Sequence, residues 1–178
     1  MDVDLDLRDA TDADLQRIVS IYNASIPGRR ATADLQPVSV EDRRTWFAAH
    51  TPERRPIWVA SPAGGGEDGP GIIGWLSYAD FYGRPAYGAT AEISVYVDDA
   101  WQGRGVARRL VARAVEVAPS LGLRTLLAFV FDHNEPSLRL FEGFGFVRWA
   151  HLPRIADLDG VERGVVIQGL HLSRQPPK

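Results

Sequence analysis

The sequence contains no cysteine among its 178 residues, which excludes a disulfide framework, a thiolate metal site and a cysteine nucleophile. It also lacks any run of about 18 uncharged apolar residues, so no transmembrane helix is predicted. Basic charge is not in excess: the net charge is −3, and nothing predicts a nucleic-acid partner or a membrane partner. The acidic start at Met1–Leu7 does not resemble a secretory signal, and by default we expect a cytoplasmic protein.

What remains is the composition of a globular chain. Hydrophobic residues make up 45% and charged residues 24%, which excludes a disordered chain, a collagen and a simple coiled coil. The length suits one domain, which we place at residues 1–172, before a disordered tail at 173–178. The segment 62–71 holds five glycines and two prolines. It is an interdomain linker or a loop between two strands, and we favour the loop because too little chain precedes it to form a core.

The hydrophobic pattern predicts a mixed α/β domain with the element order βααβββαβαββ. A first strand alternates through Val3, Leu5 and Leu7, and a first helix covers 12–25. The second helix starts at the capping pair of Ser39 and Asp42. Further strands are predicted at 57–60, 72–78, 91–97, 125–131, 146–152 and 161–172, and further helices at 103–118 and from Pro136 to Gly143.

A glycine-containing turn, Trp101–Arg108, joins the strand at 91–97 to the helix that follows. Gly103 and Gly105 allow a sharp turn, and the free N–H groups at the helix start favour an anion such as phosphate. The turn has neither the Gly-Lys-Ser/Thr of a P-loop nor the third glycine of the dinucleotide fingerprint. These residues alone predict either an anion site or a plain strand–helix turn beside a solvated arginine face.

Alternation along the strand at 91–97 puts Glu92, Ser94 and Tyr96 on one face and Val95 and Val97 on the other. If the valines face the core, Glu92 faces a cleft. The alternative is an edge carboxylate in water, the usual environment of glutamate.

Asn134 stands where a helix N-cap is expected. The four histidines show no metal-binding spacing, and we expect them to be structural or on the surface: His50, His133, His151 and His171.

Two segments together resemble the acyl-CoA site of the GNAT N-acetyltransferases. The first is Gln102-x-x-Gly105-x-Ala107 at a strand–helix junction, and the second runs from Asn134-Glu-Pro-Ser137 to Gly143-Phe-Gly145-Phe146. Within that superfamily the chain is similar to the phosphinothricin and methionine sulfoximine acetyltransferases. Three stretches carry the similarity: Ile21–Asn23, Pro37–His50 and Thr90–Val97.

The resemblance implies a GNAT-like sheet in which acetyl-CoA lies where two parallel neighbouring strands splay apart, with no metal involved. The first of these strands matches Ala91–Val97. The residues implied to bind acetyl-CoA are the backbone of Val95, Tyr96 and Val97, the turn residues Gln102, Gly103, Arg104, Gly105, Val106, Ala107 and Arg108, and the side chains of Asn134 and Ser137.

The resemblance also implies that Glu92 is the general base, because acetyl transfer needs a neutral acceptor amine. The N–H of Val95 or a neighbour would meet the oxyanion. The implied substrate contacts are Tyr82, Arg84, Tyr87, Glu92 and Ser94. Arg84 is either a bidentate partner of a substrate carboxylate or a plain surface arginine.

Two positions depart from the family pattern. Phe141 stands where many members carry a tyrosine that protonates the departing CoA thiolate, so solvent is the expected proton source. The segment 28–33 is more basic than expected of a phosphinothricin-type enzyme.

The expected function is acetyl transfer from acetyl-CoA to the primary amine of a small amino-acid-like substrate. The alternatives are an acetyltransferase acting on a protein N-terminus or lysine, and a non-catalytic acyl-CoA-binding domain. We also expect a homodimer, because the subfamily commonly dimerises and the segments 78–87 and 144–149 are rich in aromatic residues.

Overall fold

The computed structural model describes residues 3–64 and 71–172, and it contains one seven-stranded mixed sheet in the order β1-β2-β3-β4-β5-β7-β6. The strands are β1 (Leu5–Asp9), β2 (Ile57–Pro62), β3 (Gly74–Asp80), β4 (Thr90–Val97), β5 (Thr125–Phe131), β6 (Val147–Leu158) and β7 (Val161–His171). The helices are α1 (Leu15–Ser25), α2 (Val40–Ala48), α3 (Val106–Val117) and α4 (Glu135–Glu142). The predicted element order is confirmed.

Local chemistry sets where the helices begin. The hydroxyl of Ser39 accepts a hydrogen bond from the Asp42 N–H at 3.1 Å, and the Asp42 carboxylate accepts one from the Ser39 N–H at 3.1 Å. This reciprocal capping starts α2 as predicted. α3 starts at Val106 rather than at residue 103, because Gly103 and Gly105 have φ angles of 72° and 83°, outside the helical region. A 3₁₀ turn occupies residues 12–14, so α1 starts at Leu15 rather than at residue 12.

The sheet separates two apolar clusters. On one face, α3 buries Leu110, Val111 and Ala114 completely against strand residues that include Ile93 and Leu126. On the other face, α1 packs against β2 and β3, with α2 outside it: Ile18, Ile21, Tyr22, Val59 and Trp75 form the buried part, and Trp46 and Phe47 pack on it from α2. Each fully buried side chain of this size contributes about 1.5–3 kcal/mol, so both faces hold the sheet firmly.

The glycine-rich segment 62–71 connects β2 to β3, which are antiparallel neighbours. The segment is therefore a loop inside one sheet, although residues 65–70 lie outside the described residues. The predicted tail at 173–178 also lies outside them. In the part of the chain that the structure describes, no helix has the length and apolarity needed to cross a membrane.

Candidate active site

The sheet opens at the boundary between β4 and β5. β4 pairs with β3 along its length from Ala91 to Val97. With β5, however, it forms a parallel ladder of only three pairs, the last between Glu92 and Leu127. Both strands continue past this point, β4 to Val97 and β5 to Phe131. The sheet therefore forks here, as predicted, and the fork lies toward the carboxyl ends of two parallel strands, where α/β sheets bind ligands.

The direction of the peptide groups follows from the register. The Asp98 N–H donates to the Ile73 carbonyl at 2.9 Å, and Tyr96, two residues earlier, pairs with Trp75 of β3. The even-numbered residues of β4 therefore point their peptide groups at β3. Peptide groups alternate between the two sides of a strand, so the odd-numbered residues of β4 point theirs at β5. Val95 and Val97 therefore direct N–H and C=O groups into the fork, beyond the last described ladder pair.

The fork widens into a cavity of about 420 Å³. Two of its lining side chains are charged, Glu92 of β4 and Arg30 of the loop between α1 and α2. Four more are polar: Ser94, Tyr96, Asn134 and Ser137. The others are apolar: Ala31, Ala33, Ile93, Val95, Phe129, Val130, Phe131, Phe141, Ile155, Ala156 and Val165. A largely apolar cavity with a few converging polar groups is the usual form of a small-molecule site.

Glu92, the third residue of β4, faces this cavity, with Ser94 on the same side. Val95 and Val97 pack instead against the core on the α3 face, as the alternation predicted. Burial raises the pKa of the Glu92 carboxyl above its ordinary value, because the charged form loses hydration. A carboxylate with a raised pKa is a stronger base, and Glu92 is therefore chemically suited to accept a proton.

Tyr96, the third residue of this face, is fixed by neighbours. Its ring stacks on Trp75 with centroids 4.7 Å apart, and its hydroxyl donates to the Ala31 carbonyl at 3.3 Å. Burial is the main reason that its pKa is raised. The side chain of Tyr96 therefore stays neutral and serves as a wall of the cavity.

The turn predicted to bind phosphate follows β4 and precedes α3. Gly103 and Gly105 both adopt left-handed backbone conformations, and Gly105 is the N-cap of the 12-residue helix α3. The first N–H groups of α3, from Val106 to Arg108, thus lie at the positive end of the helix dipole.

Two side chains of the turn have internal partners. The Arg104 guanidinium lies 5.1 Å from the centre of the Trp101 ring, and the Gln102 amide donates to Asp99 at 2.8 Å. The turn itself is not part of the cavity lining. It lies beyond the carboxyl end of β4, so a ligand that used both the fork and the turn would have to be long.

The second predicted cofactor segment starts α4. The Asn134 side-chain oxygen accepts from the Ser137 N–H at 3.4 Å, so Asn134 is a helix cap. Asn134 and Ser137 also line the cavity, together with Phe141 one turn further along α4. The Phe141 ring packs against Phe146 with centroids 5.2 Å apart. The position of the missing tyrosine therefore faces the fork, but carries no acid.

The predicted substrate contacts Tyr82, Arg84 and Tyr87 do not line the cavity. Tyr82 and Tyr87 are 75% and 43% exposed and form an aromatic cluster with Phe81 on the surface. Their role in substrate binding stays a prediction.

Sequence reasoning missed Arg30. Arg30 and Glu92 line the same cavity, but they are 62 positions apart in the sequence. The one signal was the basic character of the segment 28–33. Ile155 and Ala156 were missed as well, since β6 was predicted to end at Leu152, whereas the strand continues, with register shifts, to Leu158. Among the described residues, no group of three or more His, Asp or Glu side chains is placed to hold a metal ion.

Comparison with known proteins assigns the class. Residues 15–146 match the model of the Acetyltransferase (GNAT) family. The chain therefore belongs to the GNAT acetyltransferases, and the predicted family, fold and enzyme class are confirmed.

Within the GNAT family, the chain is similar to several individual proteins. A protein of Bacillus subtilis (strain 168), YwnH, is 47% identical over 94% of this chain and 99% of its own length; its assignment as a phosphinothricin acetyltransferase is provisional. The L-methionine sulfoximine/L-methionine sulfone acetyltransferase of Pseudomonas paraeruginosa is 32% identical, with 86% and 87% of the two chains covered. A phosphinothricin acetyltransferase from Sinorhizobium meliloti, solved in complex with acetyl-CoA, superposes with a TM-score of 0.87 at 26% identity, over 98% and 94% of the chains.

Proposed function

We propose that this enzyme transfers the acetyl group of acetyl-CoA to the primary amine of a small amino-acid-like acceptor. The observation that carries the proposal is the cavity at the fork of β4 and β5, where Glu92 and Arg30 are the two charged groups. An amino acid presents the complementary pair, an amine and a carboxylate. The names of the relatives, which concern phosphinothricin and methionine sulfoximine, support the same acceptor class.

The fork and the turn suit the two ends of acetyl-CoA. The peptide groups of Val95 and Val97 are available to pair with the amides of the pantetheine arm, as an added strand would. The helix start at Val106–Arg108 suits the pyrophosphate, since Gly103 and Gly105 carry no side chain that would block it. When bound, acetyl-CoA supplies the acetyl group as a thioester.

Glu92 acts as the general base in this proposal. A free α-amine has a pKa near ~8 and is mostly protonated at neutral pH, so the amine must lose a proton before it can attack the thioester. The half-buried carboxylate of Glu92 accepts that proton, directly or through a water molecule. The N–H of Val95, which points into the fork, stabilises the oxygen of the thioester carbonyl as negative charge develops on it.

The departing CoA thiolate does not require a general acid from the protein. A thiol of this kind has a pKa near ~8.5, so the thiolate is a stable leaving group and can take a proton from solvent. Phe141, which faces the cavity at the position of the family tyrosine, shields the fork without donating a proton.

Arg30 is the residue we assign to the acceptor carboxylate, in place of Arg84. Arg30 lines the cavity, whereas Arg84 does not. The lining that the same loop and β6 contribute consists of Ala31, Ala33, Ile155 and Ala156, which suits a compact, uncharged acceptor side chain.

A thiol-release assay with a panel of amines tests the proposal. The panel includes common amino acids, methionine sulfoximine, phosphinothricin, the methyl ester of each, a lysine-containing peptide and a peptide with a free N-terminus. Release with amino acids, and much less with their esters, is the expected result. Preference for a peptide would instead indicate a protein acetyltransferase, and no release with any amine would indicate a non-catalytic acyl-CoA-binding domain.

We also propose that the enzyme is a homodimer. The exposed aromatic cluster of Phe81, Tyr82 and Tyr87 and the exposed side chains of Val147 and Trp149 offer apolar contact area. Light scattering at micromolar concentration tests this, and a monomer mass would contradict it. The cytoplasmic location stays a prediction.

A further inference from the structure

Arg29 holds together two parts of the chain that lie 130 positions apart. Its guanidinium forms an ion pair with Asp159, in the turn between β6 and β7, with 2.6 Å between Nε and Oδ2. The same guanidinium donates to the carbonyls of Ile26 at 3.0 Å and Leu35 at 3.1 Å. The loop 26–35 therefore closes around the Arg29 side chain, which then reaches across to the β6–β7 hairpin.

The junction of β5 and α4 holds the same loop from another direction. Nε2 of His133 lies 2.9 Å from the Arg29 carbonyl, and the Asn134 amide donates to the Arg30 carbonyl at 3.0 Å. A carbonyl only accepts, so His133 carries a hydrogen on Nε2. Asn134 has a second amide hydrogen, which no described residue accepts and which can serve a ligand in the cavity that Asn134 lines.

The ion pair between Arg29 and Asp159 contributes little to the free energy of folding. Arg29 has a left-handed backbone conformation, with a φ angle of 51°, which is unfavourable at a residue other than glycine. The φ angle of 56° at Asp159 belongs to the two-residue Asp159–Gly160 turn between β6 and β7, where aspartate readily adopts this conformation. The Asp159 side chain is 58% exposed, and an ion pair so open to water adds little to the stability of the fold. The ion pair does not offset the strain at Arg29, and such backbone strain is concentrated at functional sites.

What the ion pair does is join two walls of the cavity. Arg30, Ala31 and Ala33 follow Arg29 directly, and Ile155 and Ala156 precede Asp159 in the same hairpin. Building on the acceptor site proposed above, we propose that Arg29 and Asp159 are positioning residues for the acceptor. Their ion pair, with the bonds from His133 and Asn134, keeps Arg30 at the cavity so that the acceptor amine is presented to Glu92.

Four variants of the full-length enzyme test this proposal: Asp159→Asn, Arg29→Gln, the double variant and Arg29→Lys. Asn keeps the size of Asp159 and tolerates the left-handed conformation, so only the charge is lost. Glu41→Gln, which breaks the exposed Arg44–Glu41 pair on α2, is the matched control. The measurements are KM for methionine sulfoximine, kcat, the Kd of acetyl-CoA by calorimetry, and Tm.

The expected result is a rise of about fivefold or more in acceptor KM in both single variants, with a smaller effect on kcat. The acetyl-CoA Kd and Tm should change little, as in the control. The double variant should be no worse than Arg29→Gln, because both changes break one contact, and Arg29→Lys should recover part of the loss.

An unchanged acceptor KM in folded variants would overturn the positioning role while leaving the acceptor site standing. Equal losses in acceptor KM, acetyl-CoA Kd and Tm would also overturn it, because they would indicate a purely structural contact. If the wild-type enzyme acetylates no amino acid in the panel, the proposed function itself fails, and this inference fails with it.

Discussion

The two ends of the cavity are built in opposite ways. The end assigned to acetyl-CoA consists of regular elements and two short junctions, β4 with its glycine turn and β5 with the start of α4. The acceptor end is a loop, 26–35, and a bulged hairpin, joined by contacts across 130 residues between Arg29 and Asp159 and 104 residues between Arg29 and His133. One end is determined by local backbone geometry, whereas the other depends on long-range side-chain contacts.

This difference suggests which part of the site can change. At the acetyl-CoA end, peptide groups and a glycine turn would bind the ligand, so most side chains there can vary without loss of binding. A loop held by individual side chains can alter its shape and charge without disturbing the sheet, so acceptor preference can change while acetyl-CoA binding is kept. The following predictions test that division between the two ends.

The largest effect is expected at Glu92, which lies between the two ends. Glu92→Gln removes the proton acceptor and should lower turnover near neutral pH by about 10²–10⁴-fold. The defect should shrink as pH approaches the pKa of the acceptor amine, because the amine then arrives deprotonated. A pH–rate profile beside that of Glu116→Gln, an exposed glutamate on α3, provides the measurement. Near-wild-type turnover at every pH would remove Glu92 from the mechanism.

At the acetyl-CoA end, Gly105→Glu should weaken acetyl-CoA binding at least tenfold, by bringing a negative side chain to the helix start. Any side chain at φ 83° is strained, so Gly105→Asn, which tolerates this conformation, is the matched control. Calorimetry should show a much smaller loss for Asn than for Glu. Equal affinities in the two folded variants would argue against an anion at this turn.

At the acceptor end, Arg30→Gln should raise the acceptor KM by about tenfold, the low end of what a charge-assisted hydrogen bond provides, since Arg30 is exposed. The methyl ester of the acceptor should be affected much less, because it has no carboxylate. Arg84→Gln, outside the cavity, should leave both substrates unchanged if our assignment holds. A rise in acceptor KM for Arg84→Gln but not for Arg30→Gln would assign the acceptor carboxylate to Arg84, as first predicted from the sequence.

The smallest effect concerns stability. The pKa of Glu92 is raised in the folded protein, so folding is weakened as pH rises from 4.5, the ordinary value, through the folded-state pKa. The penalty is fully present above the folded-state pKa, and there Glu92→Gln, which cannot ionise, should have a higher Tm than the wild type. Each kcal/mol recovered corresponds to roughly 2–4 °C. Calorimetric scans at pH 7 and pH 4 should show the gap closing at the lower pH.

The sequence predicted the backbone geometry of the end that we assign to acetyl-CoA well, because its signals are local. Gly103 and Gly105 mark a turn, and alternation marks the faces of β4. The contacts that hold the loop 26–35 to the β6–β7 hairpin were not predicted. Nothing near Arg29 in the sequence indicates a partner at Asp159, and a strand pattern cannot show that β6 continues past Pro153 through a bulge. Arg84 was predicted because the segment Tyr82–Tyr87 precedes Glu92 by a short loop and resembles a substrate-contacting stretch of the subfamily.

The short ladder between β4 and β5 has a mechanical consequence. The sheet consists of two halves, one made of β1 to β4 and the other of β5, β7 and β6, and the described ladder between β4 and β5 joins them through three residue pairs. A ligand that pairs with Val95 and Val97 would connect the two halves where β4 and β5 separate. Bound acetyl-CoA should then slow hydrogen exchange at the Val95 and Val97 amides, and it should make the two halves unfold as one cooperative unit.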